Sequence, residues 1–245
     1  MKAMIFAAGL GTRLKPLTDD RPKALVECNG RALLEYAILK LKYEGFDEIV
    51  VNVHHFSSLV IDFLQKHDFG VKIYVSDETA QLLDTGGGLL HAKQFLDGTE
   101  PFLVCNVDII SSIDFSKMMA YHKQHNALAT LAASDRKTSR YLLFDDQNQL
   151  CAWENRSTQE RKVVRNCEKF IPLAFSGIQI IEPKIFDFIS ESGKFAIMDL
   201  YLRLAANQPI IAYNHTGDFW LDVGKYDDFA SVQKQVSIQK FDYLK

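Results

Sequence analysis

The sequence predicts an α/β fold, an open and mainly parallel sheet with helices on both faces. Two observations carry that expectation. Short apolar runs alternate with segments of helical period through the first half of the chain. The strand-like runs are apolar at successive positions, so both of their faces are buried, as parallel strands between helices require.

Residues 3–7 read as the first strand, centred on Met4-Ile5-Phe6. Over 31–44, Leu34, Ala37, Ile38 and Leu41 recur at helical spacing, and Gly45 supplies a C-terminal stop. Residues 49–53 form the second strand, and Leu59, Val60, Phe63 and Leu64 mark the next helix. A third strand is expected over 71–75, a helix over 89–95 and a fourth strand over 102–105, ending at Asn106-Val107-Asp108. The second half is less regular. Segments 127–133, 141–144 and 173–181 read as strands, with a hairpin turn at Gln147-Asn148-Gln149. Residues 157–169 are charged and weakly patterned, an exposed excursion. Short helices are expected over 183–191 and 197–206, and a last one over 225–236 packs back on the core. No linker, low-complexity segment or hexapeptide repeat interrupts residues 1–245, so a single domain without a β-helix is expected.

The bulk composition narrows the function classes. At 245 residues, 47% of them hydrophobic, the chain can bury a full core. Its net charge of −3, without a long basic block, argues against nucleic acid as a partner. No apolar run approaches the roughly 18 residues of a membrane span. Gly9, Gly11 and Arg13 interrupt any signal-peptide core. Cys28, Cys105, Cys151 and Cys167 are widely spaced, which suits buried free thiols in a reducing cytoplasm. A monomer or small homo-oligomer is expected.

The segment from Ala7 through Ala8, Gly9, Gly11, Thr12 and Arg13 to Lys23 follows the first strand directly. Two glycines, a hydroxyl and two cations suit a polyphosphate: Arg for bidentate contact, Lys as a point charge. The third glycine of the dinucleotide fingerprint is missing, and Pro16 and Pro22 leave little room for its helix. The P-loop pattern is absent too. Asp108 stands where the fourth strand ends, the edge at which open α/β sheets bind ligands. It reads either as a Mg²⁺ ligand or as a helix N-cap. Asp222 lies in the apolar run Phe219-Trp220-Leu221-Asp222-Val223-Gly224 and reads either as a second metal carboxylate or as a cap. Thr85-Gly86-Gly87-Gly88 reads either as a backbone surface for a flat ligand or as a loop leading into a helix. His54 and His55 face opposite ways on a strand, and His122 and His125 read as solvated. No G-x-S-x-G elbow is present.

These motifs together resemble the sugar-1-phosphate nucleotidyltransferase family. The resemblance rests on Ala7-Ala8-Gly9-x-Gly11-Thr12-Arg13-x-x-Pro16-Leu17-Thr18, Pro22-Lys23-Ala24-Leu25, Asp84-Thr85-Gly86-Gly87-Gly88, Asn106-Val107-Asp108, Phe175-Ser176-Gly177 and Trp220-Leu221-Asp222-Val223-Gly224. They occur in the family's order over nearly the whole chain. The short length and the Thr-Gly-Gly-Gly string most resemble the branch of N-acetylmuramate-1-phosphate uridylyltransferases, then the guanylyltransferases for mannose or heptose 1-phosphate.

The resemblance implies a Rossmann-like three-layer α/β/α fold, a mixed and mainly parallel sheet with a small β-rich sugar-binding lobe. Residues 1–135 would be mainly the nucleotide-binding core, 136–224 mainly the sugar-binding part, and 225–245 a C-terminal helix. It implies reaction of a nucleoside triphosphate, UTP favoured and GTP next, with a sugar 1-phosphate of the N-acetylmuramate, mannose, heptose or hexose type. Arg13 and Lys23 would be catalytic, and Ala7, Ala8, Gly9, Gly11, Thr12, Thr85, Gly86 and Gly87 would join them in binding the nucleotide. Asn106, Glu154 and Gly177 would bind the sugar, and Asp108 and Asp222 would hold Mg²⁺. Two departures stand out. Val107 replaces the usual Gly between Asn and Asp, and Asn155 stands where many relatives carry a Lys for the sugar phosphate, so Arg156, Arg140 or another cation must substitute. Two alternatives stay open: a phosphocholine-type cytidylyltransferase, kept alive by Trp153 and Trp220, and a catalytically silent nucleotide-sensing homologue.

Overall fold

The computed structural model describes residues 1–224 and 229–244. Strands β1 (Lys2–Phe6), β2 (Glu27–Cys28), β3 (Arg31–Ala32), β4 (Glu48–Val53), β5 (Lys72–Asp77), β6 (Phe102–Asn106) and β7 (Ile109–Ser111) make up the first half with helices α1 (Leu33–Tyr43), α2 (Ser57–Lys66), α3 (Asp84–His91), α4 (Lys93–Leu96) and α5 (Phe115–Gln124). The second half holds β8 (Ala129–Ser134), β9 (Arg140–Phe144), β10 (Leu150–Asn155), β11 (Glu160–Val163), β12 (Ile171–Ile181), β13 (Ile210–Asn214) and β14 (Trp220–Asp222), with α6 (Ile197–Ala205) and α7 (Phe229–Ile238).

One ten-stranded sheet runs through both halves in the order β11-β10-β9-β12-β6-β1-β4-β5, with β8 on β12 and β13 on β8. The pairs β6/β1, β1/β4 and β4/β5 are parallel. Strand β12 joins this parallel block to the antiparallel lobe: Ile178–Ile181 pair with β6, Ile171–Leu173 with β9. The join needs a break in register along β12 between Phe175 and Gln179, where Gly177 sits at φ +72°. That left-handed conformation is strained for any residue with a Cβ.

Alternation along the central strands sorts side chains into two cores. Ala3 and Ile5, Ile49 and Val51, and Leu103 and Cys105 face α1, α5 and α7. Met4, Val50, Phe102 and Val104 face α4 and α6. The period of two thus makes a three-layer α/β/α sandwich, with β1, β4 and β6 buried on both faces.

Several elements differ from the sequence expectation. Gly86, Gly87 and Gly88 lie inside α3, which begins at Asp84 rather than 89. The α5 helix was not anticipated, although Phe115, Met118, Met119 and His122 are buried at helical spacing and the Asp114 side chain caps it through the Lys117 N–H at 2.8 Å. His122 is fully buried, not solvated: its ring pairs with Thr130 Oγ1 at 2.8 Å, and burial pushes its pKa down to about 4. The excursion 157–169 contains the exposed strand β11. Residues 183–188 form a 3-10 helix rather than an α-helix. The last helix is described over Phe229–Ile238, while 225–228 of the expected 225–236 lie outside the described residues. All four cysteines are free, three of them buried and Cys167 half-buried. No helix among the described residues is long and apolar enough to cross a membrane.

Candidate active site

The site forms at the carboxyl ends of β1, β4, β5 and β6. The chain leaves β1 through Ala7 and Ala8, whose N–H groups both donate to Asn52 Oδ1, at 2.7 and 3.3 Å. Asn52 Nδ2 in turn donates to Glu78 Oε1 at 2.7 Å, and Glu78 Oε2 accepts the Leu83 N–H at 3.3 Å. Glu78 is 2% exposed, and burial pushes its pKa up against the hydrogen bonds that favour its charge. This buried relay ties three strand ends together.

Beyond it, Gly11 takes φ +66° and passes so close to the next turn that a Cβ would lie 3.0 Å from both Lys23 Cβ and Thr18 Cγ2. Thr18 Oγ1 closes the loop on Gly11 O at 2.9 Å. The loop therefore carries Lys23 back over the end of β6, where its ammonium pairs with Asp108. Arg13 rides on the 3-10 turn Thr12–Leu14 on the same side.

A two-stranded ribbon delivers the second acid. Strand β14 pairs antiparallel with β7 so that Asp222 lies opposite Ile109, and the Val223 N–H donates to Asp108 O at 2.9 Å. Asp222 is thereby set beside Asp108. Burial raises its pKa first, and the neighbouring Asp108 charge raises it further. The Gly224 N–H donates to Asp222 Oδ1 at 2.7 Å and holds the carboxylate in place. A Cβ on Gly224 would stand 2.6 Å from Asp222 Oδ1, 2.8 Å from Asp108 Oδ2 and 3.2 Å from Arg13 Nη2. Those three side chains thus converge on one point of backbone. Two desolvated carboxylates side by side, one of them also paired with Lys23, suit a divalent cation shared between them.

Two cavities open on this cluster. One, about 360 Å³, is lined by Gly9, Arg13, Lys23, Asp108, Leu82 and Thr85 among others. The second, about 860 Å³, lies over the antiparallel lobe and is lined by Arg13, Asp222, Arg136, Arg140, Trp153 and Phe175 among others. Arg13 lines both, and the acid pair is divided between them.

Residues 2–239 match the family model described as Nucleotidyl transferase. The chain belongs to that family. It is 34% identical over 231 residues to the N-acetylmuramate alpha-1-phosphate uridylyltransferase of Caulobacter vibrioides, covering 91% of each chain. It is 31% identical over 237 residues to the mannose-1-phosphate guanylyltransferase catalytic subunit beta of Dictyostelium discoideum, covering 94% of this chain and 63% of that longer one. Its fold superposes on a UDP-glucose pyrophosphorylase solved with UDP-glucose at a TM-score of 0.79 and 19% identity, over 98% and 99% of the two chains. The protein is a sugar-1-phosphate nucleotidyltransferase by family and has the nucleotide-diphospho-sugar transferase fold.

Within this nucleotidyltransferase the structure gathers Gly9, Arg13, Lys23, Thr85, Asn106 and Asp108 around the smaller cavity, with Asp222 on the adjoining wall of the larger. Other expected residues serve differently. The Ala7 and Ala8 N–H groups donate to Asn52, and Ala8 lines the smaller cavity while Ala7 does not. Thr12 is exposed and lines neither cavity. Gly86 and Gly87 are buried in α3, where their N–H groups donate to Phe195 O at 2.9 and 3.2 Å. Side chains there would run into Phe195 and Gly193, so these glycines permit close packing rather than offer a surface to a base. Gly177 faces Asn106, whose Nδ2 would sit 2.8 Å from an added Cβ; the glycine makes room for that amide rather than for a ligand.

Glu154 is committed to Arg156 Nε at 2.8 Å and Arg161 Nη2 at 2.6 Å and does not line the larger cavity. Burial alone would raise its pKa, but the two guanidinium groups outweigh burial and lower it. Arg156 is likewise spent, on Glu154 and on the Tyr141 ring at 4.1 Å, whereas Arg140 does line the cavity. Val107 needs no glycine conformation: its side chain is buried in the core facing α1.

Sequence reasoning missed Asn52, Glu78, Lys194 and Arg136. Asn52 is a polar residue inside an apolar strand, and that was the available signal. Glu78 and Lys194 gave none, because their place depends on α3 packing against segment 193–195.

Proposed function

We propose that this protein joins a nucleoside triphosphate, UTP favoured and GTP next, to a sugar 1-phosphate of the N-acetylmuramate, mannose, heptose or hexose type, releasing pyrophosphate. One observation carries the reading: two cavities of different make share Arg13 and divide the acid pair Asp108/Asp222 between them. A donor in the smaller cavity and an acceptor in the larger would present their phosphates to each other at that border.

In this reading an oxygen of the sugar phosphate attacks the α-phosphorus in line. The bond from the α-phosphorus to its bridging oxygen breaks, and the electron pair leaves with pyrophosphate. No covalent enzyme intermediate is needed, so catalysis is positioning and charge neutralisation. Arg13 would hold the leaving β- and γ-phosphates, and Lys23 the α-phosphate and the sugar phosphate. Asp108 and Asp222 would hold Mg²⁺. When bound, the ion would neutralise charge on the phosphoryl oxygens. Asn52 and Glu78 would keep the loop after β1 in place, and Thr85, Leu82 and Lys194 would wall the nucleotide.

The cytidylyltransferase alternative calls for aromatic and acidic walls around a cationic acceptor. The larger cavity does carry Tyr141, Trp153 and Phe175, but its cations Arg13, Arg136, Lys137, Arg140 and Lys162 outnumber its acids Asp199 and Asp222, which favours an anionic acceptor. The decisive measurement is pyrophosphate release across the four nucleoside triphosphates and dTTP, each against a panel of sugar 1-phosphates. Asp108→Ala and Asp222→Ala should each lower the best rate by roughly 10²–10³, the cost of removing a preorganised electrostatic group. Near-wild-type turnover in both variants sinks the metal assignment.

A further inference from the structure

The larger cavity holds more positive charge than a neutral sugar phosphate explains. Its wall carries Arg13, Arg136, Lys137, Arg140 and Lys162 against Asp199 and Asp222. Asp222 belongs to the acid pair, and Arg13 to the border with the other cavity. Lys162 has Asp199 at 4.0 Å and Glu160 at 3.9 Å. Arg136, Lys137 and Arg140 are left without an ion pair among the described residues.

Of these, Arg136 is built in. Its guanidinium lies over the Trp220 ring with the central carbon 4.0 Å from the centroid, and Nη2 donates to Phe175 O at 2.6 Å. Trp220 is itself held, its Nε1 donating to Ser176 O at 2.8 Å, and Ser176 Oγ meets His215 Nε2 at 2.7 Å. The Arg136 Nε is buried with no hydrogen-bond partner. Burial disfavours the Arg136 charge and outweighs the support of the Asp222 carboxylate, so a half-buried guanidinium with an unspent donor, fixed by stacking at a cavity wall, is a costly arrangement unless a further anion completes it. The loop around it is pinned as well. The Thr138 N–H donates to the Tyr141 hydroxyl at 3.1 Å, and the Arg156 N–H to Ser139 O at 2.8 Å. Lys137 and Arg140 are exposed at the rim.

We propose that the acceptor is an acidic sugar 1-phosphate, carrying a carboxylate besides its phosphate, and that Arg136 is the specificity-determining residue that receives this carboxylate, with Lys137 and Arg140 supplying the rim field. The inference rests on the reading of the larger cavity as the acceptor site. A carboxylate is favoured over a second phosphate because one fixed guanidinium matches one charge, while the two rim cations are solvated and screened.

The test compares matched pairs on the full chain with UTP and Mg²⁺. One pair is glucuronic acid 1-phosphate against glucose 1-phosphate; the other is N-acetylmuramic acid 1-phosphate against its lactyl amide. The wild type should favour the acid in at least one pair by roughly 10- to 100-fold in kcat/KM, the worth of a charge-assisted contact. Arg136→Met should collapse that ratio, and Arg136→Lys should recover part of it. Because both members of a pair are measured on one preparation, a loss of folded protein cancels from the ratio. The double variant Lys137→Gln/Arg140→Gln should lower the ratio by only about 3-fold, and added salt should reduce its effect.

Acid and neutral partners used within about 2-fold of each other would overturn the proposal. So would an Arg136→Met variant that slows both partners equally, or a preference for glucose 1,6-bisphosphate over the carboxylated sugars. Calorimetric binding of each pair without nucleotide decides the matter even if no pyrophosphate appears: silence in the assay with retained preference for the acid would remove the reaction and keep the subsite.

Discussion

The two cavities that meet at Arg13 are built in opposite ways. The smaller one stands on the ends of parallel strands, and its shape is set by backbone and by a buried polar relay, Ala7/Ala8 to Asn52 to Glu78 to Leu83. The larger one stands on the antiparallel lobe, and long cationic side chains on strands and a pinned loop set its chemistry. Changing one group of the relay leaves buried donors unpaired, so that side tolerates little change. Changing a rim cation costs little stability, so the larger cavity can be retuned without unfolding the protein. On the proposed reading, donor handling is tied to the fold and acceptor choice is only attached to it.

The sharpest blow to this division falls on the border. Gly224→Ala would force a Cβ against both carboxylates, whose oxygens stand 2.6 and 2.8 Å from its place. Displacing the pair by a fraction of an ångström should cut kcat by about 10²-fold. Single-turnover rates of pyrophosphate release check it, and an unchanged rate would mean the two acids do not act as a unit. Next in size, Glu78→Ala strands Asn52 Nδ2 and the Leu83 N–H. It should cost about 1–3 kcal/mol in urea unfolding and raise the nucleotide KM roughly 10-fold, with the acceptor KM nearly unmoved. Equal movement of both constants would erase the contrast.

A change of pH strikes the scaffold behind both cavities. The pKa of His122 is pushed down to about 4 in the folded protein by burial, against an unfolded value of 6.5. The folded state therefore binds fewer protons between those values, and stability falls as pH drops from 6.5 towards 4. The loss should total roughly 3 kcal/mol across the window, and His122→Gln should flatten the slope. Thermal melts from pH 4 to 7 give the answer. The smallest effect is expected at Arg156, which is exposed and lines neither cavity. Arg156→Ala should change stability by less than about 1 kcal/mol. A clear rise in acceptor KM would instead return Arg156 to the sugar site.

Much of the parallel block was legible because its signals are local. Four mainly apolar strands and two helices, α1 and α2, are read from spacing alone. The α5 helix escaped because His122 occupies an apolar position of its pattern, and β11 escaped because an exposed edge strand carries no burial signature. The surroundings of the α3 glycines were not legible. Glycine marks places where something comes close, but it does not say whether the visitor is a ligand or Phe195. The same holds for Glu154, since a carboxylate in a strand has the same sequence signature whether a hydroxyl or two arginines meet it.

By itself the sequence determined the family and which residue types stand together along the chain. Two cations and two glycines after a buried strand suit a polyphosphate, and the two acids stayed open between metal ligand and cap until the resemblance was added. These follow from residue type and from neighbours along the chain. Tertiary structure alone decided which groups share a site. The β7/β14 ribbon sets Asp222 beside Asp108, Gly11 turns Lys23 back over β6, and Trp220 holds Arg136 at the cavity wall. Charge and hydrogen-bond strength fall off over a few ångströms, so function depends on distances that only the packed sheet sets.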